Sequence, residues 1–284
     1  MIKFGPAGIP QKFYDLGNKH SVQMGKYLHD MGLNAFEYQC GNGVTIGLPK
    51  AAEVGKKCAE NGITVSLHAP YYISLSSIDE EKRLNSLKYI TKSAETVKAM
   101  GGNRIVVHCG TNAGRTREEA TELSVNTLLQ AYNELKNLGL DSVHICPETM
   151  GKINQIGTLE EVLYICKQHQ NFIPVIDFGH LNARSMGGIK TQKDYEEILD
   201  NIENELGHDI LKIFHIHFSK IEYTKGGEKK HLTFEDTVFG PNFEPLAELL
   251  YKKQLEPTII CESDETMDID ALKMKHIFES FGGK

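Results

Sequence analysis

Twelve histidines occur among the 284 residues, and several of them stand at the ends of short apolar runs that read as β-strands. The run 64–68 ends in His68 and the run 104–108 in His108. The run 142–148 ends in Glu148, and 172–177 in Asp177 with His180 in the turn that follows. The run 213–217 carries His215 and His217, and 258–262 ends in Glu262. Neutral imidazole and carboxylate are the ligands that zinc and its first-row neighbours take, and a carboxylate can bridge two ions. A chance set of strand ends would include Gly, Ser, Asn or hydrophobes, so an unbroken series of imidazoles and acids points to a multinuclear metal site. Asp177-Phe178-Gly179-His180 is a turn that can direct both polar side chains into one cavity. His215 and His217 are two apart and share a face of their strand. His217, nearer the strand's end, is the favoured ligand, with His215 the alternative. A single His at a strand end is more often a hydrogen-bonded core residue, and His144 reads that way. His20, His29, His169, His208 and His276 fall in helices or at their edges, where exposure is the default.

The elements that must position these residues alternate regularly. Eight β-rich runs, 2–5, 35–39, 64–68, 104–108, 142–148, 172–177, 213–217 and 258–262, are separated by segments with helical apolar spacing. Leu84, Leu87, Ile90, Ala94, Val97 and Met100 form one such series, and Leu123, Val125, Leu128, Leu129, Tyr132 and Leu135 another. Thr158 with Glu161 three residues on is a capping-box start, and Gly101-Gly102 stop the helix that ends near Met100. With no low-complexity linker, this pattern predicts an α/β protein, a single-domain (β/α)8 TIM barrel over 1–284. An open dinucleotide-binding sheet is the runner-up, but no GxGxxG follows the first strand. In such barrels the site lies at the carboxyl ends of the strands. The longest stretch without periodicity, 219–241, is expected to be a functional loop.

Composition narrows the partners. With 31 Lys+Arg against 38 Asp+Glu, the formal charge of −7 excludes a global basic field, so any nucleic-acid site must be local. A hydrophobic content of 40% with 24% charged residues is that of an ordinary globular protein. No apolar run approaches the roughly 20 residues of a membrane span, and the first residues do not read as a signal peptide. A cytoplasmic protein without membrane contact is expected. The six Cys show no CxxC pair and are expected to be reduced core residues.

With these residues in hand, the chain resembles the endonuclease IV family of apurinic/apyrimidinic endonucleases, within the xylose-isomerase-like barrels. The matching segments are Leu67-His68-Ala69-Pro70-Tyr71-Tyr72-Ile73-Ser74-Leu75, Val107-His108-Cys109-Gly110, Glu148-Thr149-Met150-Gly151, Ile176-Asp177-Phe178-Gly179-His180, His217-Phe218-Ser219, His231 and Cys261-Glu262-Ser263. The resemblance implies two or three Zn2+ per chain, with Mn2+ as an alternative, and hydrolysis of the phosphodiester 5′ to an abasic site in damaged double-stranded DNA. It implies one ion on His68, His108 and Glu148, and a second on Glu148, Asp177, His217 and Glu262. His180 and His231 would hold the third. Glu148 and Glu262 are the implied catalytic carboxylates and Tyr71 the implied substrate contact. A monomer with no obligate protein partner is expected.

The departures are specific. Where the family carries Asp-Arg-His, this chain has Lys229-Lys230-His231, so the third ion lacks its carboxylate unless Glu228 or Asp236 supplies one. The alternative is a solvated charged loop. The loop 39–43 is shorter and less basic than the family's DNA-penetrating loop, and the first strand lacks the family's early His. Lys225, Lys229 and Lys230 could meet phosphates locally. The rival reading is a sugar isomerase or epimerase holding one divalent ion on Glu148, Asp177, His217 and Glu262. A catalytically silent barrel that binds a partner is the third.

Overall fold

The computed structural model describes residues 1–283; residue 284, the last of the expected domain, lies outside the described residues. In chain order the elements are β1 (Lys3–Pro6), α1 (Gln11–Asp15), a 3-10 turn (Ser21–Gln23), α2 (Met24–Asp30), β2 (Ala35–Gln39), α3 (Leu48–Glu60), β3 (Thr64–His68), α4 (Glu80–Ala99), β4 (Arg104–Val107) and α5 (Arg117–Asn137). Then follow β5 (His144–Pro147), α6 (Leu159–Lys167), β6 (Val175–Asp177), α7 (Phe178–Arg184), α8 (Gln192–Leu206), a second 3-10 turn (His208–Lys212), β7 (His215–Phe218), β8 (Lys220–Thr224), β9 (Gly227–Leu232), α9 (Glu244–Lys252), β10 (Thr258–Cys261) and α10 (Met267–Ser280).

Two parallel four-stranded sheets, ordered β1-β10-β7-β6 and β2-β3-β4-β5, carry the barrel wall. Parallel bridges Ala7↔Glu37 on one side and Ile145↔Phe172 and Glu148↔Val175 on the other close it. The eight βα units expected from the apolar rhythm are therefore one (β/α)8 barrel. Helix starts follow the sequence signals. Thr116 with Glu119 and Thr158 with Glu161 form reciprocal capping boxes on α5 and α6. Gly101, at φ 75°, takes the left-handed turn that ends α4.

Strand periodicity sets what faces in and what faces out. Phe4, Phe36, Leu67, Ile105, Ile145, Ile176, Ile216 and Ile259 are fully or nearly fully buried and belong to the core between wall and helices. The alternate positions turn inward. Val106, Cys146, Ile173 and Val175 form one small separate cluster, and Ala7, Ala35 and Ile260 another. Stepping two residues toward each carboxyl end along the inward rows reaches Gln39, His68, His108, Glu148, Asp177, His217 and Glu262.

Three expectations are corrected. The stretch 219–241 is not one long loop. It contains the antiparallel hairpin β8–β9, turning at Lys225-Gly226 with a register shift at Glu222/Tyr223. The fifth and sixth strands are shorter than 142–148 and 172–177, so Glu148 lies just beyond β5, although its N–H still donates to Val107 O at 3.1 Å. The seventh starts at His215 because the preceding residues close the 3-10 turn. All six Cys are buried and unpaired, as expected. Among the described residues no helix is long and apolar enough to cross a membrane.

Candidate metal centre

The carboxyl ends of the strands open into a cleft of about 890 Å³ whose lining includes His68, His108, Glu148, His180, Glu228, His231 and Glu262. Glu148 is the hub. It is fully buried, and its two oxygens face different neighbours. Oε2 lies 3.3 Å from His68 Nε2 and 3.1 Å from His108 Nε2. Oε1 lies 3.1 Å from His217 Nδ1 and 3.4 Å from His180 Nδ1. That is how a carboxylate bridging two cations must be presented.

Asp177 ends β6 and caps α7, accepting the His180 N–H at 2.7 Å through Oδ1. Its Oδ2 is buried with no hydrogen-bond partner. The cap explains why the Asp177–His180 spacing works: one helical turn carries His180 back over the barrel mouth. Donor atoms of Glu148, Asp177, His217 and Glu262 lie within 4.8 Å of one another, as do those of His68, His108 and Glu148.

A third set, His180, Glu228 and His231, meets the same criterion. Glu228 Oε2 is 3.4 Å from His180 Nε2. Its approach depends on two glycines. Gly227 bridges Lys152 in antiparallel fashion, and the Glu228 N–H donates to Gly151 O at 3.1 Å. A Cβ on Gly151 would come within 2.5 Å of Glu228 Cβ, and one on Gly227 within 2.1 Å of Gly151 O. The segment that receives the hairpin is held by arginines. Arg184 donates to the carbonyls of Met150, Lys152, Ile153 and Gln155, and Arg117 to those of Ile153 and Gln155. Of the two substitutes weighed for the missing aspartate, Glu228 is in place. Asp236 is not: its carboxylate accepts the N–H groups of Val238 and Phe239.

The electrostatics fit cations. Burial works to raise the Glu148 carboxyl, but His217, His108 and His180 outweigh it and hold it well below the usual range. Burial raises the Glu262 carboxyl, and neighbouring Glu148 adds to the rise. Burial works to lower His217, yet Glu262, Glu37 and Glu148 push it well above an ordinary imidazole. His180 behaves likewise against Asp177, Glu148 and Glu228. Anionic carboxylates gathered around imidazoles favour a cationic occupant, and cation binding releases protons from such ligands. Together with Asp177 Oδ2, buried without a hydrogen bond and 3.3 Å from His180 Nδ1, the donor chemistry suits divalent ions of the zinc type.

Tyr71 does not pack beside Pro70 and Tyr72 alone. Its ring stacks on His108 at 5.4 Å and meets His68 edge-on at 5.5 Å, while 58% of the residue stays exposed beside the cleft. Lys229 and Lys230 are exposed on β9, at 2.6 and 3.9 Å from Glu222. Exposed pairs of this kind hold little energy. His144, as expected, sits apart from the site, with Nδ1 3.1 Å from Asn171 O.

One buried acid was passed over in the sequence. Glu37, in the middle of β2, lies 2.9 Å from His217 Nε2 and 3.2 Å from His215 Nε2, and accepts from Ser66 Oγ at 2.9 Å. Its signal was available: it stands at an inward position two residues before a strand end. His215 therefore lies below the cleft, and burial lowers it to about 4, so it stays neutral. His217→Ala is expected to cost more than about 100-fold in metal affinity, since changes around a ligand alone already cost 10–100-fold. His215→Ala should chiefly lower stability. Zinc titration and thermal unfolding of both variants check this, and equal or reversed metal losses would move the ligand to His215.

The chain matches the family described as Xylose isomerase-like TIM barrel over residues 26–276. It is 36% identical over 265 residues to an uncharacterized protein of Methanocaldococcus jannaschii, covering 93% of this chain and 92% of that one. It is 31% identical over 219 residues to a probable endonuclease 4 of Mycoplasma genitalium, covering 74% and 70%. Among solved structures, a D-tagatose 3-epimerase-like protein superposes with a TM-score of 0.72 at 18% identity, over 99% of this chain and 97% of that one, a likeness of fold.

Proposed function

Because the chain belongs to the xylose isomerase-like TIM barrel family and is related within it to the endonuclease 4 proteins, we propose that it is a zinc-dependent phosphodiesterase that cuts duplex DNA 5′ to abasic sites, acting as a cytoplasmic monomer. The observation that carries this reading is Glu228 beside His180, in one set with His231. A one-ion enzyme has no use for that third donor set, which adjoins the two that share Glu148.

On this reading His68, His108 and Glu148 hold one ion, Glu148, Asp177, His217 and Glu262 a second, and His180, Glu228 and His231 a third. Bound there, zinc would lower the pKa of water toward neutrality and stabilise negative charge on phosphate oxygens. The chain's residues do the rest. Glu148 and Asp177, sealed from solvent, fix the spacing of the ligands. Glu262 is partly open to the cleft, where its carboxylate can take the proton leaving the attacking water. The free face of Tyr71 offers a platform for a sugar or neighbouring base, and an abasic nucleotide is the least costly to draw from the stack. Lys152 lines the cleft and Lys225, Lys229 and Lys230 lie on the adjoining hairpin, where they can meet phosphates.

A second reading has one observation in its favour: Glu148, Asp177, His217 and Glu262 by themselves form a complete set for a single ion, as a sugar epimerase or isomerase would need. It leaves His68, His108, His180, Glu228 and His231 without a shared task. A labelled abasic duplex, an intact duplex, and chelator-treated protein with zinc restored separate the two. The expected result is a zinc-dependent cut confined to the abasic strand that weakens steeply with salt, because phosphate contacts release counterions. No abasic-specific cut, together with interconversion of a free ketose, would overturn the nuclease reading.

A further inference from the structure

Five imidazoles converge on the cleft, and a histidine can present a lone pair to a metal only if its other ring nitrogen carries the proton and is accounted for. His68 sets Nδ1 2.9 Å from Ala69 O, and His180 sets Nδ1 2.9 Å from Thr149 O. His231 sets Nδ1 2.8 Å from Ser219 Oγ. These hydrogen-bond partners are neutral, although His180 Nδ1 also lies 3.3 Å from Asp177 Oδ2 and 3.4 Å from Glu148 Oε1. His217 differs: Nδ1 faces Glu148 and Glu262 at 3.1 and 3.5 Å, while Nε2 points down the barrel to the carboxylate of Glu37 at 2.9 Å.

Glu37 is completely buried, and its ion-pair partners among the described residues are two imidazoles, with no Lys or Arg. A carboxylate is costly to bury in such a place, and a neutral side chain of the same size would be cheaper for the fold alone. Its oxygens are also divided. Oε1 faces His217, while Oε2 accepts from Ser66 Oγ at 2.9 Å and lies 3.2 Å from His215 Nε2. Ser66 is the directly paired residue of β3 opposite Glu37 in the sheet, so the hydroxyl keeps the carboxylate from turning wholly toward His215.

We propose that Glu37 is a positioning residue of the metal centre: its buried carboxylate, with Oε1 2.9 Å from His217 Nε2, favours the proton on that nitrogen and leaves Nδ1 as the lone pair facing Glu148, Asp177 and Glu262. Being anionic, it also makes this imidazole a stronger donor than His68 and His231, which lean on a carbonyl and a hydroxyl. The inference rests on the metal-centre reading and adds to it a fixed tautomer and a preferred ion position, that of the second donor set.

The test reads metal binding and not turnover. Zinc is titrated against a chromophoric chelator in the wild-type protein, Glu37→Gln and Glu37→Asp, with thermal unfolding of the metal-free forms alongside. Glu37→Gln is expected to fold and to lose about 10–100-fold in affinity for one ion. Glu37→Asp, which keeps the charge, should recover part of that loss. In zinc-loaded wild-type protein labelled with 15N-histidine, His217 should carry its proton on Nε2 and its metal on Nδ1. If Glu37→Gln fails to fold, this last measurement decides: a His217 proton on Nδ1 overturns the proposal. Affinities equal within about threefold in folded Glu37→Gln, with zinc bound by the wild type, overturn it alone. A wild-type protein that retains no zinc removes the metal-centre reading and this inference together.

Discussion

Glu148→Gln is expected to yield a folded protein that binds fewer ions and cuts an abasic duplex on the order of 10³-fold more slowly or worse, the loss seen when charge-stabilising groups are removed from an active site. The substitution keeps volume and removes charge. Glu148 presents Oε2 to His68 and His108 and Oε1 to His217 and His180. Glutamine has one oxygen and one NH2, so it can serve one of these sides and must turn a donor toward the other. Either orientation breaks the bridge. Stability should not collapse, because the partners that lose the charge are imidazoles, which can turn neutral when the carboxylate is removed. Elemental analysis, nicking rates and thermal unfolding read the three consequences separately. Full metal content with normal turnover would show that Glu148 does not bridge.

The barrel was legible because its wall repeats one simple rule. Inward positions recur every second residue, and in a parallel barrel the last of them on each strand meets the others at one mouth. His68, Asp177 and His217 could thus be gathered from the ends of strands alone, and His108, Glu148 and Glu262 from runs that overshot their strands by a residue. Glu228 could not be placed that way. Its position depends on a hairpin whose strands, Lys220–Thr224 and Gly227–Leu232, are too polar to show a buried face. It depends also on pairing between Gly227 and Lys152, 75 positions apart in the chain. The turn residues Lys225-Gly226-Gly227 and the place of Glu228 three residues before His231 were the local hints. Glu37 escaped for a different reason. Attention to strand ends passes over mid-strand acids, although a Glu between Phe36 and Tyr38 at an inward position is an anomaly that burial alone would forbid.

Glu228→Gln should separate a three-ion centre from a one-ion centre. The residue reaches the site from the hairpin, across the backbone contact of Gly227 with Gly151, and belongs to the donor set of His180 and His231, apart from that of Asp177, His217 and Glu262. Loss of its charge should therefore remove the ion held with His180 and His231 and leave the set built on Glu148, Asp177, His217 and Glu262 occupied. Asp236, the other acid of the hairpin region weighed for this place, is engaged with the N–H groups of Val238 and Phe239. Nicking of an abasic duplex is expected to fall by about 10²–10³-fold, the cost of removing one charge-stabilising group from a reacting phosphate. Gly151→Ala provides an independent route to the same defect, because its Cβ would collide with Glu228 Cβ at 2.5 Å. It alters no charge, and its Cβ would also come within 3.0 Å of His180 Cδ2, so a matching loss of one ion would tie the effect to how Glu228 and His180 sit together. An epimerase running on the four-donor set would keep its ion and its rate in both variants. Unchanged metal stoichiometry and unchanged nicking in Glu228→Gln would leave the third donor set without a role.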